Sequence, residues 1–427
     1  MFLAPPSKKS LSLGQFLCFV FFGLSSGLPF LMIVSTLAVC LIEKGVSPSL
    51  VGFSTLATLP YALKFFLSPL IDSFWLPYLS QKLGQRRCCA LFFQFGVVCT
   101  LAWLGSSLKN PSLWQTGLAA LFVSLFATLQ DLVLEVYRIE QTPRGAMGAS
   151  ALATTFGFRL GVLISGAGAL FAAHFLSWRF VYHLVAGCAF LAMTAVLLSR
   201  KDQPSSVLKR QQKKLLTFSW REKWRLSARH LFKRHFWGTL LMVFVLAKMA
   251  DVVLHTMSIP FLLSLGYSKT LYATVAKIYG FGALLLGSTL CGFVLDRTPL
   301  YNVFVAALAL QLGAVCFFLL QALWPPNEAL LTVTVLFESL ASGFLTTLLV
   351  AYMSRLSKAP YTTMQYGMLA SLSALIRIGW SLVACATVAC VPWSLFFAGL
   401  LGLQSAIMVF FLTQKKHLQR RYSPHVV

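Results

Sequence analysis

Twelve apolar runs, each longer than 20 residues, follow one another along this chain of 427 residues and leave little sequence over. They cover 13–41, 49–72, 88–108, 113–135, 146–172, 179–199, 236–264, 271–295, 300–323, 329–353, 364–390 and 392–413. A helix of that length crosses roughly 30 Å of hydrocarbon. In such a solvent each backbone amide must be satisfied inside its own segment, which leaves helices as the reading for runs of this kind. The chain is therefore expected to be an all-α integral membrane protein of twelve transmembrane helices. The last cut rests on Val391-Pro392 alone. The first run is too long for the apolar core of a signal peptide and is expected to stay in place.

The net charge of +24 first suggests nucleic acid. The positions of the charges point elsewhere. With the two termini and alternate connections on one side, that side holds 26 Lys and Arg, the other holds four (Lys44, Lys109, Arg179 and Lys269), and five lie inside the runs. This is the positive-inside pattern, so both termini are expected in the cytoplasm, and the basicity reports contact with anionic lipid rather than nucleic acid. The ten cysteines lie mostly within apolar runs and make no disulfide framework or zinc spacing.

The runs divide into two sets of six. The expected organisation is an N-terminal arm (1–12), a first six-helix bundle (13–199), a basic cytoplasmic linker (200–235), a second bundle (236–413) and a basic tail (414–427). Within the linker, "FSWREKWRLSARHLFKRHFW" fits either a helix lying on the inner membrane face or a solvated connector. A faint repeat crosses the divide. "SPLIDSFWLPYLSQKLGQRR" follows the second run and "GFVLDRTPL" ends the eighth, so Asp72 and Asp296 each precede basic residues. Six plus six helices with that connection in each half is how the major facilitator architecture is built. Asp72 with Arg86 or Arg87, and Asp296 with Arg297, are the expected cytoplasmic gate.

Nine charges sit inside the runs: Lys64, Asp131, Glu135, Arg159, Lys248, Asp251, Lys277, Glu338 and Arg377. Each costs at least ~2.5 kcal/mol at a bilayer centre, so none is expected to face lipid. They fit interhelical ion pairs, or an aqueous cavity with work to do. In "QDLVLEVYRIE", Asp131 and Glu135 stand one helical turn apart with Arg138 three further on. Two such carboxylates cannot both stay ionised cheaply, so one is expected to keep a proton. Arg138 beside Glu135 favours Asp131 for that role, and the reverse stays open. In "AKMADVV", Lys248 and Asp251 share one side of a helix and can neutralise each other. Gly157, Gly161, Ser165 and Ala169 recur every fourth residue, a ridge for close helix contact or a hinge. Gly27-Leu28-Pro29 marks either a broken helix or a proline kink.

"GLSSGLPFLM", "ATLPYALKFFLSPLID", "QDLVLEVYRIE", "GFRLGVLISGAGAL", "FESLASGFLTTLLVAYMSRL" and "TTMQYGMLASLSALIRIGW" together resemble the AmpG-type muropeptide permeases. These form a branch of the major facilitator superfamily related to the acetyl-CoA transporters. The resemblance runs from about Leu13 to Leu412. It implies import, driven by the proton gradient and without another cofactor, of anhydro-muropeptides across a bacterial inner membrane. Lys64, Asp72, Gln130, Asp131, Arg159, Lys248, Asp251, Glu338, Gln365 and Arg377 match typically polar positions of that family. The family commonly has a second Asp where this chain has Glu135, which keeps the carboxylate and changes its reach.

The expected function is thus proton-coupled transport by a monomer, with lipid, protons and a small solute as partners and no nucleic acid. Proton-coupling candidates are Asp131, Glu135, Asp251 and Glu338; substrate-binding candidates are Lys64, Gln130, Arg159, Lys248, Gln365 and Arg377. The alternatives are another anionic cargo, such as a carboxylate-rich metal chelate or a CoA-like anion, and an integral-membrane enzyme. The second finds no metal cluster, G-x-S-x-G elbow or phosphate-cradling loop to support it.

Overall fold

The computed structural model describes residues 11–46, 55–74, 77–108, 113–199, 218–232, 237–324 and 326–413. The expected tail and most of the expected linker lie outside them. Among the described residues every regular element is helical, and eleven helical stretches are long and apolar enough to cross a membrane. The expected second span is the exception. Its described part is a 3-10 turn, Thr55–Thr58, followed by α3 (Leu59–Ala62) and α4 (Lys64–Ser73).

The chain forms two compact units. The first comprises Met1–Ala146, Ala153–Leu231 and Leu356–Ser371, and the second Met147–Leu152, Phe232–Arg355 and Leu372–Val427. In the first unit, α1 (Leu13–Ile33) runs through Pro29 and breaks only at Val34, before α2 (Ser35–Glu43). The proline therefore sits inside the helix, five residues ahead of the interruption. The break frees the Met32 carbonyl, and the Tyr182 hydroxyl donates to it at 2.8 Å. Tyr182 belongs to α10 (Trp178–Leu198), which packs with α6 (Gln85–Ser107) around Met32, Val97, Leu101 and Val185.

The ridge of small residues is a contact surface. α8 (Met147–Leu163) crosses α1 so closely that a Cβ on Gly157 would overlap the Val20 carbonyl, and one on Gly23 the Thr154 carbonyl. Gly27 and Gly161 repeat the reciprocal contact one turn along. The ridge then opens into a π turn, Ile164–Gly168, before α9 (Ala169–Phe175). The Thr36 hydroxyl donates to the Ser165 carbonyl there, at 2.8 Å. Packing and a local irregularity thus share one stripe.

The linker contains α11 (Trp220–Phe232), with one face on protein. Lys223 and Ser227 are buried, the Lys223 ammonium donates to Ser73 Oγ at 2.6 Å, and the Trp224 ring lies 5.0 Å from Phe65. Arg221, Arg225 and Arg229 are exposed on the opposite side. Burial pushes the Lys223 ammonium below its ordinary range, against the pull of Asp72.

The second unit holds α12 (Trp237–Ser264), α13 (Lys269–Thr274), a π turn at Val275–Gly280, and α14 (Phe281–Leu295). α15 (Leu300–Leu323), α16 (Glu328–Leu356), most of α17 (Thr362–Val388) and α18 (Trp393–Thr413) complete it. Phe261, Phe318 and Phe397 pack ring against ring in its core. Gly287 and Gly343 give α14 and α16 the same backbone-to-backbone contact that α1 and α8 make.

Gly157→Ala should lower the stability of purified protein by about 1–3 kcal/mol, because backbone rather than a flexible side chain must move. Gly117→Ala, where nothing lies within 4 Å, should leave the melting temperature unchanged or raise it. Equal melting temperatures for wild type and Gly157→Ala would contradict the close crossing.

Candidate functional site

The first unit gathers its charges on α4 and α7 (Leu113–Gln141). α4 begins at a break in the second span. Leu63 closes α3 by accepting no helical continuation: its amide reaches back to both Leu59 and Pro60 carbonyls, and the Phe65 amide donates instead to Ser371 Oγ at 3.1 Å. Pro69 removes the amide that the Phe65 carbonyl would receive, and the Ser68 hydroxyl replaces it at 2.8 Å. This local order directs Lys64 toward α7.

Lys64 pairs there with Asp131, both side chains about one-sixth exposed. Glu135 receives the Arg138 guanidinium at 2.6 Å and the Tyr366 hydroxyl at 2.9 Å. The arrangement expected for Glu135 and Arg138 is present, and Asp131 has its own cation as well. The stripe is therefore neutral as folded: two acids, two bases, one turn apart. Gln130 is fully buried and donates to Ser25 Oγ at 2.7 Å, alongside Gln94 at 2.6 Å. Arg159 is half-buried on α8. Gln365 accepts from the Lys358 amide at 2.9 Å and meets His230 Nδ1 of α11 at 3.1 Å, so its polar atoms are engaged at the start of α17.

The expected gate residues separate. Arg86, on α6, bridges Asp72 at 3.0 Å and Glu140 at 3.0 Å, and the Thr363 hydroxyl donates to Asp72 at 2.7 Å. Arg87 does not join them. It donates to the carbonyls of Val196 and Leu197 in the last turn of α10. In the second unit, Asp296 accepts from the Gly148 and Ala149 amides, each at 2.8 Å, at the positive end of α8. Arg297 lies 5.7 Å over the Phe293 ring rather than on a carboxylate. A helix terminus thus supplies the positive partner of Asp296.

Lys248 and Asp251 do not pair. The Lys248 ammonium extends along its stem to the hydroxyl of Ser373 and to its carbonyl, 3.2 Å away on α17. Gln311, on α15, approaches Asp251 at 3.5 Å. Glu338 is half-buried on α16 within reach of the Asp251 charge. Arg377 is exposed and shares the electrostatic surroundings of Lys248. Among the described residues all four ion pairs within 4.0 Å belong to the first unit, and neither Asp251 nor Glu338 enters one.

Sequence reasoning missed Glu140, Thr363, Tyr366, Ser25, Gln94 and Ser373. Glu140 carried a signal, an acid at a helix end five residues beyond Glu135. The hydroxyls and Gln94 carried none, since such residues occur throughout apolar helices. No cluster of His, Cys, Asp and Glu fit to hold a metal ion occurs among the described residues.

Pseudo-repeated membrane helices with charges held inside the helical units define a solute carrier rather than an enzyme. Residues 11–385 match the Major Facilitator Superfamily model, and the chain belongs to that family. It is 29% identical over 401 residues to "Putative transporter AmpG 4" of Rickettsia conorii, covering 92% of this chain and 95% of the relative. It is 27% identical over 410 residues to "Putative transporter AmpG 3" of Rickettsia typhi, covering 92% and 94%. The proton:xylose symporter XylE, solved with 6-bromo-6-deoxy-D-glucose, shares the fold with a TM-score of 0.65 at 14% identity, covering 94% of this chain and 95% of that one. The human organic anion transporter MFSD10 (TETRAN) does so at 0.64 and 17%, covering 94% and 100%.

Asp131→Asn alone leaves Lys64 buried without its counter-charge and should cost about 3 kcal/mol in stability. Lys64→Met with Asp131→Leu removes both charges and should recover most of that loss. A double variant no more stable than Asp131→Asn would mean that the two side chains do not act as a pair.

Proposed function

We propose that this chain is a proton-coupled importer of anhydro-muropeptides in a bacterial inner membrane, working as a monomer with both termini in the cytoplasm. The observation that carries the coupling is the contrast between the two units. The intramembrane acids of the first unit, Asp131 and Glu135, are each matched by a cation, whereas Asp251 and Glu338 share a charge field with no ion pair of their own. A carboxyl held in low dielectric without a cation is cheapest in its neutral form, so loading and losing a proton there changes the charge of the site. Glu338 and Asp251 are accordingly the proposed proton carriers. The Lys64–Asp131 and Arg138–Glu135 pairs hold the helices together.

Lys248 and Arg377 supply positive charge for the carboxylates of a stem peptide. The gate is proposed at Asp72, Arg86, Glu140 and Thr363, and at Asp296 on the α8 terminus. The AmpG-named relatives and the sequence motifs support the muropeptide, and the proton:xylose symporter of the same fold supports coupling to protons. Arg377, exposed and outside every ion pair among the described residues, also favours a second reading, a different organic anion.

Purified protein in liposomes separates these readings. Labelled anhydro-muropeptide should accumulate only with a pH gradient, and Glu338→Gln should reduce that accumulation at least tenfold while counterflow persists. Gradient-driven accumulation by Glu338→Gln at the wild-type level would remove Glu338 from coupling. Wild-type uptake of organic anions but not of the muropeptide would select the second reading.

A further inference from the structure

Among the described residues, the buried Tyr61 hydroxyl has no hydrogen-bond partner. An unsatisfied buried hydroxyl is destabilising, and a phenylalanine in its place would avoid that cost. The ring does not need the oxygen for its position. It stands edge-on to Phe30 at 5.6 Å, Phe30 packs on Phe158 at 6.0 Å, and the Lys64 ammonium lies 5.6 Å from the Tyr61 ring centre. Tyr61 also lies immediately before the Leu63 break, the point from which α4 sends Lys64 to Asp131.

We infer that Tyr61, with Lys64 and Asp131, forms a subsite for a neutral N-acetylated sugar ring, and that its hydroxyl is a specificity-determining contact to the substrate. The chemistry of the group fits a sugar better than a carboxylate. Lys64 and Asp131 cancel each other's charge while offering a donor and an acceptor, both partly open to the surface. The phenol hydroxyl gives and takes a hydrogen bond, and the Phe30 and Phe158 rings supply apolar faces for the C–H side of a pyranose. A peptide carboxylate would have to displace Asp131 from its cation. The inference rests on the proposed muropeptide function and concerns its sugar portion alone.

The test uses the full-length protein in lipid nanodiscs and, as probe, the N-acetylglucosamine–anhydro-N-acetylmuramic acid disaccharide without peptide. Wild type should bind it, Tyr61→Phe should bind it about tenfold more weakly, and the unliganded melting temperature of Tyr61→Phe should equal or exceed that of wild type. Unchanged affinity in Tyr61→Phe, with wild type binding normally, overturns the subsite and leaves the proposed function standing. A lower unliganded melting temperature or a failure to fold also overturns it, since the hydroxyl would then have a structural partner. No binding of the disaccharide by wild type overturns the subsite, and the accumulation of labelled muropeptide in liposomes then tells whether the proposed function falls with it.

Discussion

A polar group inside hydrocarbon has to be answered from within the protein, and that single constraint orders most of what this structure contains. The helices are not uniform rods. α1 breaks at Val34, the second span breaks at Leu63, and π turns interrupt the helices at Ile164–Gly168 and Val275–Gly280. In the first unit these irregularities free backbone groups, and side-chain hydroxyls reach them. Tyr182 serves the Met32 carbonyl, Thr36 the Ser165 carbonyl, Ser68 the Phe65 carbonyl and Ser371 the Phe65 amide. Irregular backbone of this kind is tolerated where neighbouring helices supply the missing bonds, and it is where a transporter helix can bend.

Charge obeys the same rule with larger energies. The first unit resolves its charges into tight pairs along α4, α6 and α7, with Arg86 serving two carboxylates at once. The second unit leaves Asp251 and Glu338 to hydrogen bonding and to each other's field, while Lys248 turns away to Ser373. The two units therefore differ in kind despite the faint repeat that relates their sequences. One unit matches its intramembrane acids with cations, and the other leaves Asp251 and Glu338 without an ion pair among the described residues. The proposed division of labour between a framework and a proton-carrying element rests on that asymmetry.

The unpaired Tyr61 hydroxyl belongs to the same logic from the opposite side. Beside a broken helix and a partly exposed ion pair, such a group is the proposed place where a ligand completes the set.

Length and hydropathy were enough to determine an all-helical membrane chain, because crossing hydrocarbon demands a long apolar run in every span. Spacing was enough to pair Glu135 with Arg138, since three residues make nearly one helical turn, and to identify Gly157 and Gly161 as a contact ridge. Spacing failed for Lys248 and Asp251, which share a side of α12 yet do not meet, because the flexible lysine stem finds a serine on another helix. Of the two arginines offered to Asp72, Arg86 meets it and Arg87 does not, and Arg297 lies over Phe293. Asp131 needed Lys64 from 67 residues away, and Asp296 found the amide end of a helix 147 to 148 residues away. The sequence determined which residues must not face lipid, because that cost is local to each residue. Only the tertiary structure decided which partner each one met, because partners come from other helices and hydropathy carries no record of how helices rotate against one another.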